Sequence, residues 1–142
     1  MIEICFVCTG NTCRSPMAER IARKIAKAKK MKDIKFSSAG IFAKGDNISE
    51  KAVLTLKKMG YDSRSRKSVL LKKTKPNVIY VALTDDHKKY IPAKRVISFE
   101  ELPGAVPDPY GQDIEVYEKT AKEIEKNIEV LLDKIEKLRG VI

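Results

Sequence analysis

The sequence predicts an α/β fold: a three-layer, doubly wound sheet of four parallel strands in the order 2-1-3-4, flanked by helices. The first observation behind this prediction is a series of short, nearly continuous apolar runs, which are typical of parallel strands covered on both faces. The second is that these runs alternate with segments of helical periodicity, which favours right-handed crossovers. Because a chain of 142 residues has the usual length of one domain and can bury a core, we interpret residues 1–142 as a single domain.

The first strand is predicted over Ile2–Val7, and the first helix follows it closely. Ser15 is a favourable N-cap and Pro16 suits the first helical position, so we expect the helix to begin there. One face of this helix carries apolar side chains at four-residue spacing, namely Met17, Ile21 and Ile25.

The middle of the chain contains a predicted strand and a predicted helix. The strand covers Ile34–Ser37 and turns at residues 38–40 into a loop. The helix runs from about Ile48 to Gly60, and Asn47 is expected to cap it with Glu50 three residues on. Residues 61–75 form a basic linker, in which a short helical turn is expected near residues 69–71.

Four further segments are predicted in the second half. They are a buried strand over 78–83, a short helix over 84–91, an edge strand over 96–98 and a turn-rich loop over 103–111. The last element runs from about residue 114 to 138, and its periodicity fits a helix that covers one sheet face better than a coiled coil. Its apolar side chains are Tyr117, Ala121, Ile124, Ile128, Leu131, Ile135 and Leu138.

The segment from Val7 to Pro16 carries the strongest functional signal. Five residues separate Cys8, at a strand end, from Arg14, at a helix start. A loop of this length can curl around a tetrahedral oxyanion, with backbone N–H groups and a guanidinium turned inward. Ligands of doubly wound sheets bind beyond the strand ends where the strand order reverses, so we expect Cys8 to lie at that point.

Each side chain of this loop has a chemical interpretation. A thiol at a helix N-terminus beside a cation is commonly ionised, so Cys8 is expected to be a nucleophilic thiolate. Arg14 can grip two phosphate oxygens, and the Ser15 hydroxyl can donate a hydrogen bond to the thiolate. Gly10 is expected to give the turn its freedom, and Asn11 to tolerate a left-handed backbone and tie the loop together from behind.

Thiolate attack on a phosphate ester requires a proton donor for the departing group. The best candidate is Asp108, whose flanking prolines can hold the carboxyl over the pocket, although Asp-Pro is also a common turn signal. Tyr110 can form a wall of the substrate entrance or pack on the surface. The only histidine, His87, lies in a lysine-rich segment that we interpret as surface, and no metal site is predicted.

All three cysteines lie in the first thirteen residues, which argues against a secreted disulfide framework and favours a reducing, cytoplasmic location. Cys5 is interpreted as core. Cys13 either packs in the core or forms a reversible disulfide with Cys8 that protects the nucleophile from oxidation. The longest apolar runs are too short to span a membrane, so no membrane association is expected.

The net charge of +10 raises a second hypothesis, a nucleic-acid-binding module. The lysines are spread over helix faces and linkers, without the aromatic interleaving of a single-strand binder. This dispersion favours a solvated surface and disfavours nucleic acid as a partner.

The run CTGNTCRSP over residues 8–16, together with Asp108-Pro109-Tyr110, resembles the low-molecular-weight protein-tyrosine-phosphatase family almost end to end. The resemblance implies a metal-free, cofactor-free mechanism on phosphorylated proteins: Cys8 takes the phosphoryl group, Arg14 holds its oxygens, and Asp108 serves as acid and then as base. We expect a monomer. The implied phosphate-binding and supporting residues are Thr9, Gly10, Asn11, Thr12, Cys13, Ser15, Ser38 and Tyr110.

The substrate that the resemblance implies is phosphotyrosine or phosphoarginine in proteins. Tyrosine-specific members commonly carry a larger aliphatic residue where this chain has Thr12, and the loop is similar to that of the bacterial protein-arginine-phosphatase branch. A hydroxyl here can hydrogen-bond a guanidinium. The chain also departs from the family because it has Arg66 where histidine is frequent, and because no tryptophan follows Gly40.

A related class, thioredoxin-coupled arsenate reductase, shares the oxyanion loop. It requires two further cysteines in the middle of the chain, and none follows Cys13. This alternative is therefore disfavoured.

Overall fold

A computed structural model of the protein describes residues 2–93 and 96–140, the last three by their backbone only. Within these ranges four strands alternate with helices along the chain. The strands are β1 (Ile2–Cys8), β2 (Ile34–Gly40), β3 (Val78–Ala82) and β4 (Val96–Ser98). The helices are α1 (Arg14–Ala28), α2 (Glu50–Lys58), α3 (Asp85–Lys88) and α4 (Ile114–Gly140), with a 3-10 turn over Phe99–Glu101.

The strands form one parallel sheet in the order β2-β1-β3-β4, so the predicted α/β class and the order 2-1-3-4 are confirmed. The chain steps from β1 outward to β2 and then back across β1 to β3. β1 therefore lies between β2 and β3, and β4 is added last, at the outer edge of β3. Cys8 pairs with Gly40 at the last position of β1, which places the following loop at the point where the strand order reverses.

The sheet buries apolar side chains on both faces, because consecutive residues of β1 point in opposite directions. Ile4, Phe6 and Cys8 join the larger core, to which α1, α2 and α4 contribute. Cys5 and Val7 join a smaller core on the other face. Cys5 is thus a core residue, as predicted, whereas Cys8 ends its strand beside the helix start.

Predicted helix starts were wrong at two places. α1 begins at Arg14 with Cys13 as its N-cap, because the hydroxyl of Ser15 is used within the loop and caps nothing. α2 is capped by Ser49, whose side chain accepts from the backbone N–H of Ala52 at 3.4 Å, and not by Asn47. A serine directly before the helix competes successfully with an asparagine two residues earlier.

Three further expectations differ from the structure. Residues 38–40 are the end of β2 and not a turn, because Cys8 and its neighbours in β1 extend the pairing to Gly40. No helical turn forms at residues 69–71; Leu70 instead bridges to Gly40 in parallel fashion. α3 is shorter than the predicted helix over 84–91, and the 3-10 turn, fixed by the Ser98–Glu101 capping box, was missed.

The long C-terminal helix is confirmed, and its predicted face is buried from Tyr117 to Ile135. It packs on α1 and α2 within the larger core, as a helix that covers a sheet layer. The side chain of Leu138 lies outside the described residues. No helix in the described ranges is long and apolar enough to cross a membrane.

Candidate active site

The loop between β1 and α1 turns its carbonyl groups toward neighbouring segments. The carbonyls of Cys8, Thr9 and Thr12 accept hydrogen bonds from the backbone N–H groups of Ile41 at 3.0 Å, Phe42 at 2.9 Å and Ser49 at 2.9 Å. The backbone N–H groups of residues 9–15 have no protein partner among the residues the structure describes. A loop with engaged carbonyls and free amides at a helix start is suited to bind an anion.

Asn11 ties this loop together from behind, as predicted. It is fully buried and has a φ of 55°, the only positive φ in the loop. Its amide nitrogen donates to the hydroxyls of Ser15 at 2.7 Å and Ser38 at 3.0 Å, and its oxygen accepts from the backbone of Val69 at 2.8 Å. The freedom expected of Gly10 is not used, because the left-handed residue is Asn11.

The Cys8 sulfur and the Ser15 hydroxyl lie 2.9 Å apart, and both residues are buried. Because Asn11 already donates to the Ser15 oxygen, the serine proton is free for another acceptor. The Cys8 sulfur at 2.9 Å is nearer than the Ala39 carbonyl at 3.5 Å. The arrangement therefore supplies the hydroxyl donor to the sulfur that the sequence predicts.

The guanidinium of Arg14 is buried and held at one end. Its Nη1 donates to the carbonyl of Val106 at 3.1 Å, and its Nη2 lies 3.6 Å from Oδ2 of Asp108. Its Nε has no hydrogen-bond partner among the described residues. Buried polar atoms are nearly always paired, so an orphaned Nε beside Nη2 presents the edge that grips two oxygens of an oxyanion.

Asp108 lies at this edge with its side chain half exposed. Its Oδ1 accepts the backbone N–H of Tyr110 at 3.0 Å, so the Asp-Pro-Tyr segment is a turn as well as part of the site. The two interpretations of Asp108 are therefore compatible. The turn fixes one carboxylate oxygen and leaves the other toward Arg14.

A charged cluster around the buried Glu19 and Ser38 supports the loop; Ser38 was expected in this role, whereas Glu19 and Arg66 were not. Arg66 donates from Nη1 to Oδ1 of Asn11 at 3.1 Å, and from Nη2 to Glu19 at 2.9 Å and to Ser38 at 2.5 Å. Ser38 in turn donates to Glu19 at 2.5 Å, and Arg23 forms an ion pair with the same carboxylate. Glu19 carries no local signal, since an acid in the first turns of a helix is common.

Cys13 is a free, buried thiol. Its sulfur lies 3.4 Å from the hydroxyl of Tyr117, which also accepts from Ser49 at 3.1 Å. Burial raises the pKa of the Cys13 thiol. The packing interpretation of Cys13 therefore describes this structure, and α4 contacts the loop through it.

His87 is buried, with an exposed fraction of 6%, so the prediction of a surface position was wrong. Lysines are its neighbours in the sequence, but α3 directs the imidazole inward, against the loop. Nε2 of the ring lies 3.0 Å from the Thr9 hydroxyl. Burial and the charge of Arg14 lower the pKa of His87 to about 4.

A cavity of about 1010 Å³ opens above the sulfur and Arg14. Thr12, half-buried, lines it from the loop, and exposed aromatic rings of Phe42 and Tyr110 stand at its mouth. Asp46 and Glu50 add carboxylates to the lining. The cavity thus offers an oxyanion base and a mixed aromatic and acidic rim.

The fold is α/β, and a cysteine lies beneath an anion-binding loop at the end of a central strand. An arginine and an aspartate lie beside that loop. This arrangement defines the class of cysteine-dependent phosphatases. The model of the family "Low molecular weight phosphotyrosine protein phosphatase" matches residues 3–140. The chain belongs to that family, whose members are hydrolases that use cysteine-based catalysis.

Three relatives illustrate the match. The chain is 35% identical to a protein-arginine-phosphatase of Geobacillus stearothermophilus, over 94% of this chain and 96% of that protein. The low molecular weight protein tyrosine phosphatase of T. tengcongensis has 38% identity and a TM-score of 0.84, covering 94% of this chain and 99% of that one. The YwlE arginine phosphatase, a mutant with a phosphorylated active-site serine, has 29% identity and a TM-score of 0.86, covering 99% and 100%.

Proposed function

We propose that the protein dephosphorylates phosphorylated proteins through a phosphocysteine intermediate on Cys8. One observation carries this proposal: the Cys8 sulfur lies at the base of a loop with unpaired amides, beside the free edge of Arg14. These groups are matched to a phosphoryl group in charge and in number of donors.

In the first step the Cys8 thiolate attacks phosphorus, an S–P bond forms, and the bond from phosphorus to the leaving atom breaks. Arg14 and the loop amides stabilise the charge on the transferred oxygens. Asp108 gives its carboxyl proton to the leaving atom. The Ser15 hydroxyl stabilises the sulfur as an anion before the attack.

In the second step a water molecule attacks phosphorus and the S–P bond breaks. Asp108, now a carboxylate, takes the proton of the water. The sulfur leaves as a thiolate, again stabilised by Ser15. Neither step calls for a metal or a cofactor, so we expect activity to survive chelators. The phosphorylated active-site serine of the YwlE mutant supports phosphoryl transfer to an active-site side chain.

The nucleophile is tested by Cys8→Ser, with Cys5→Ala as the control. Turnover should fall by about three orders of magnitude or more, because serine is not ionised in this position. Vanadate or phosphate binding, measured by calorimetry, should persist. Cys5→Ala removes a thiol from the opposite face of the same strand and should leave turnover unchanged. Substantial turnover by Cys8→Ser contradicts the mechanism.

Phosphoarginine is the first substrate candidate. Two observations support it: Thr12, which carries a hydroxyl, lines the cavity, and relatives named protein-arginine-phosphatases match nearly the whole chain. A guanidinium leaving group gains from hydrogen bonds to a hydroxyl and from nearby carboxylates such as Asp46 and Glu50. Phosphotyrosine is the second candidate, because Phe42 and Tyr110 supply aromatic surface at the mouth.

The two substrates are separated by measuring kcat/KM on phosphoarginine and phosphotyrosine peptides of the same sequence, for the wild type and for Thr12→Ile. The isoleucine removes a hydrogen-bonding group and adds an apolar wall. We expect the ratio of the two rates to shift toward phosphotyrosine by about tenfold or more. Thr12→Ser keeps the hydroxyl and should keep the preference; an unchanged ratio in Thr12→Ile excludes Thr12 as the selector.

Further proposals concern the setting of the enzyme. We infer a cytoplasmic, monomeric enzyme built as one domain over residues 1–142, which takes no nucleic acid partner. Cys8 and Cys13 are proposed to form a reversible disulfide under oxidation. Their confinement to one short loop supports this pairing.

A further inference from the structure

The imidazole of His87 lies between two threonine hydroxyls. Its Nε2 is 3.0 Å from Oγ1 of Thr9 and its Nδ1 is 3.2 Å from Oγ1 of Thr84. Thr84 is the N-cap of α3, yet its hydroxyl does not cap the helix. The hydroxyl instead forms a hydrogen bond with the imidazole, and this bond fixes the orientation of the ring.

A neutral imidazole has one donor and one acceptor nitrogen, and a hydroxyl can serve either. Both ring nitrogens are therefore satisfied in either tautomer. The charged groups that face the ring are Arg14, Asp86 and Asp108, of which Arg14 disfavours protonation. Together with burial, this keeps the ring neutral at physiological pH.

Thr9 follows the nucleophile directly and lines the cavity. Its backbone carbonyl accepts from Phe42 at 2.9 Å, and its side chain contacts His87. Asn11 and Arg66 hold the loop from the β2 side. On the side of β3 and α3, His87 contacts Thr9, the first residue of the loop.

We propose that His87 is a positioning residue of the oxyanion loop: by its hydrogen bond to Thr9 it fixes the first turn of the loop in the conformation that binds the phosphoryl group. The inference rests on the proposed function, because it takes the ligand of the loop to be a phosphoryl group. His87 itself is not among the residues that line the cavity, and it acts on the ligand only through Thr9.

Three substitutions separate this role from the filling of a core position. Gln places its amide at the distance of Nε2 and keeps the contact with Thr9. Asn reaches only as far as Nδ1 and keeps the contact with Thr84. Leu keeps apolar volume and loses both contacts.

The readout is the affinity of the full-length protein for inorganic phosphate, measured by calorimetry, with thermal unfolding as the check on folding. His87→Leu and His87→Asn should weaken phosphate binding by about three- to tenfold, and His87→Gln should stay within about twofold of the wild type. A core-filling role predicts that Leu is tolerated and Gln is not. Phosphate affinity retained in His87→Leu, or lost equally in His87→Gln, overturns the proposal.

Thr9→Val completes the test, because Thr9 is exposed and its replacement leaves the core intact. It should weaken phosphate binding as His87→Leu does, and the double variant should bind no more weakly than Thr9→Val alone. Additive losses, or normal affinity in Thr9→Val, overturn the proposal even where His87→Leu fails to fold. Phosphate binding requires no turnover, so a failure of Cys8 as nucleophile is seen separately in Cys8→Ser.

Discussion

At the scale of single residues, Asp108 combines a turn with a place beside the Arg14 guanidinium. One carboxylate oxygen accepts the Tyr110 N–H at 3.0 Å and the other lies 3.6 Å from Arg14. A carboxyl that is half exposed and held by its own turn can exchange protons with solvent between the two steps. This is the property that an acid which later serves as a base requires.

We therefore expect Asp108→Asn to lower kcat most for substrates with poor leaving groups. The amide keeps the turn but carries no transferable proton, so the loss on alkyl phosphates should reach about 100-fold or more, and that on activated aryl phosphates should be small. The dependence of kcat/KM on leaving-group pKa is the measurement. Asp133→Asn, at an exposed position of α4, is the control. Equal losses on both substrate types exclude Asp108 as the acid.

Some residues around the loop could be identified from the sequence, and others could not. Cys8, Arg14 and Ser15 lie in one contiguous run, so their meeting follows from the length of the loop. Glu19 and Arg66 could not be found in this way. Their ion pair at 2.9 Å depends on the linker after α2 returning to the back of the loop.

At the scale of elements, the end of β2 sets how closely the sheet approaches the loop. A Cβ on Gly40 would lie 2.7 Å from the Thr9 carbonyl oxygen and 2.8 Å from the backbone of Gly10 and Asn11. Backbone atoms at that distance cannot give way as a flexible side chain can. Gly40 therefore permits the contact that shapes the oxyanion loop.

Gly40→Ala should displace the loop and reduce kcat/KM by about tenfold or more, because small displacements of catalytic groups are costly. Phosphate affinity, measured by calorimetry, should fall with it. Gly45→Ala is the matched control: Gly45 has open space around it but a φ of 82°, so alanine should lower stability without weakening phosphate binding. Unchanged phosphate affinity in Gly40→Ala would show that the loop does not need this approach.

The elements themselves follow closely from the pattern of the chain. Apolar runs located all four strands, and periodicity located α1, α2 and α4. The errors lie at helix starts and in the linker, where neighbouring polar residues compete as caps and long-range pairing decides. Leu70 is extended because Gly40 pairs with it, which no local pattern around residue 70 indicates.

At the scale of the whole molecule, burial of His87 couples stability to pH. Its pKa is lowered from 6.5 to about 4 in the folded protein. Between these values the unfolded chain binds the proton and the folded protein does not. Stability is therefore fully present above pH 6.5 and is lost as the pH falls toward 4.

The free energy of unfolding at pH 7 and at pH 4.5, measured by denaturant titration, tests this coupling. The wild type should lose more stability than His87→Gln over this range, by up to about 3 kcal/mol, because glutamine does not titrate. Contributions of carboxylates are common to both proteins and cancel in the comparison. Equal losses in the two proteins would show that His87 is not the coupled group.

The sequence by itself determined the sheet order and predicted the oxyanion loop with Cys8, Arg14 and Asp108 as candidate site residues, because these depend on short-range periodicity and on residues carried in two compact motifs. The tertiary structure alone decided that His87 points inward, that Glu19 and Arg66 support the loop, and that Gly40 admits it. These contacts join segments distant in the chain, whose side chains acquire partners only once the sheet has brought them together. Local patterns encode which residues form an element, whereas packing decides which polar groups are buried and paired.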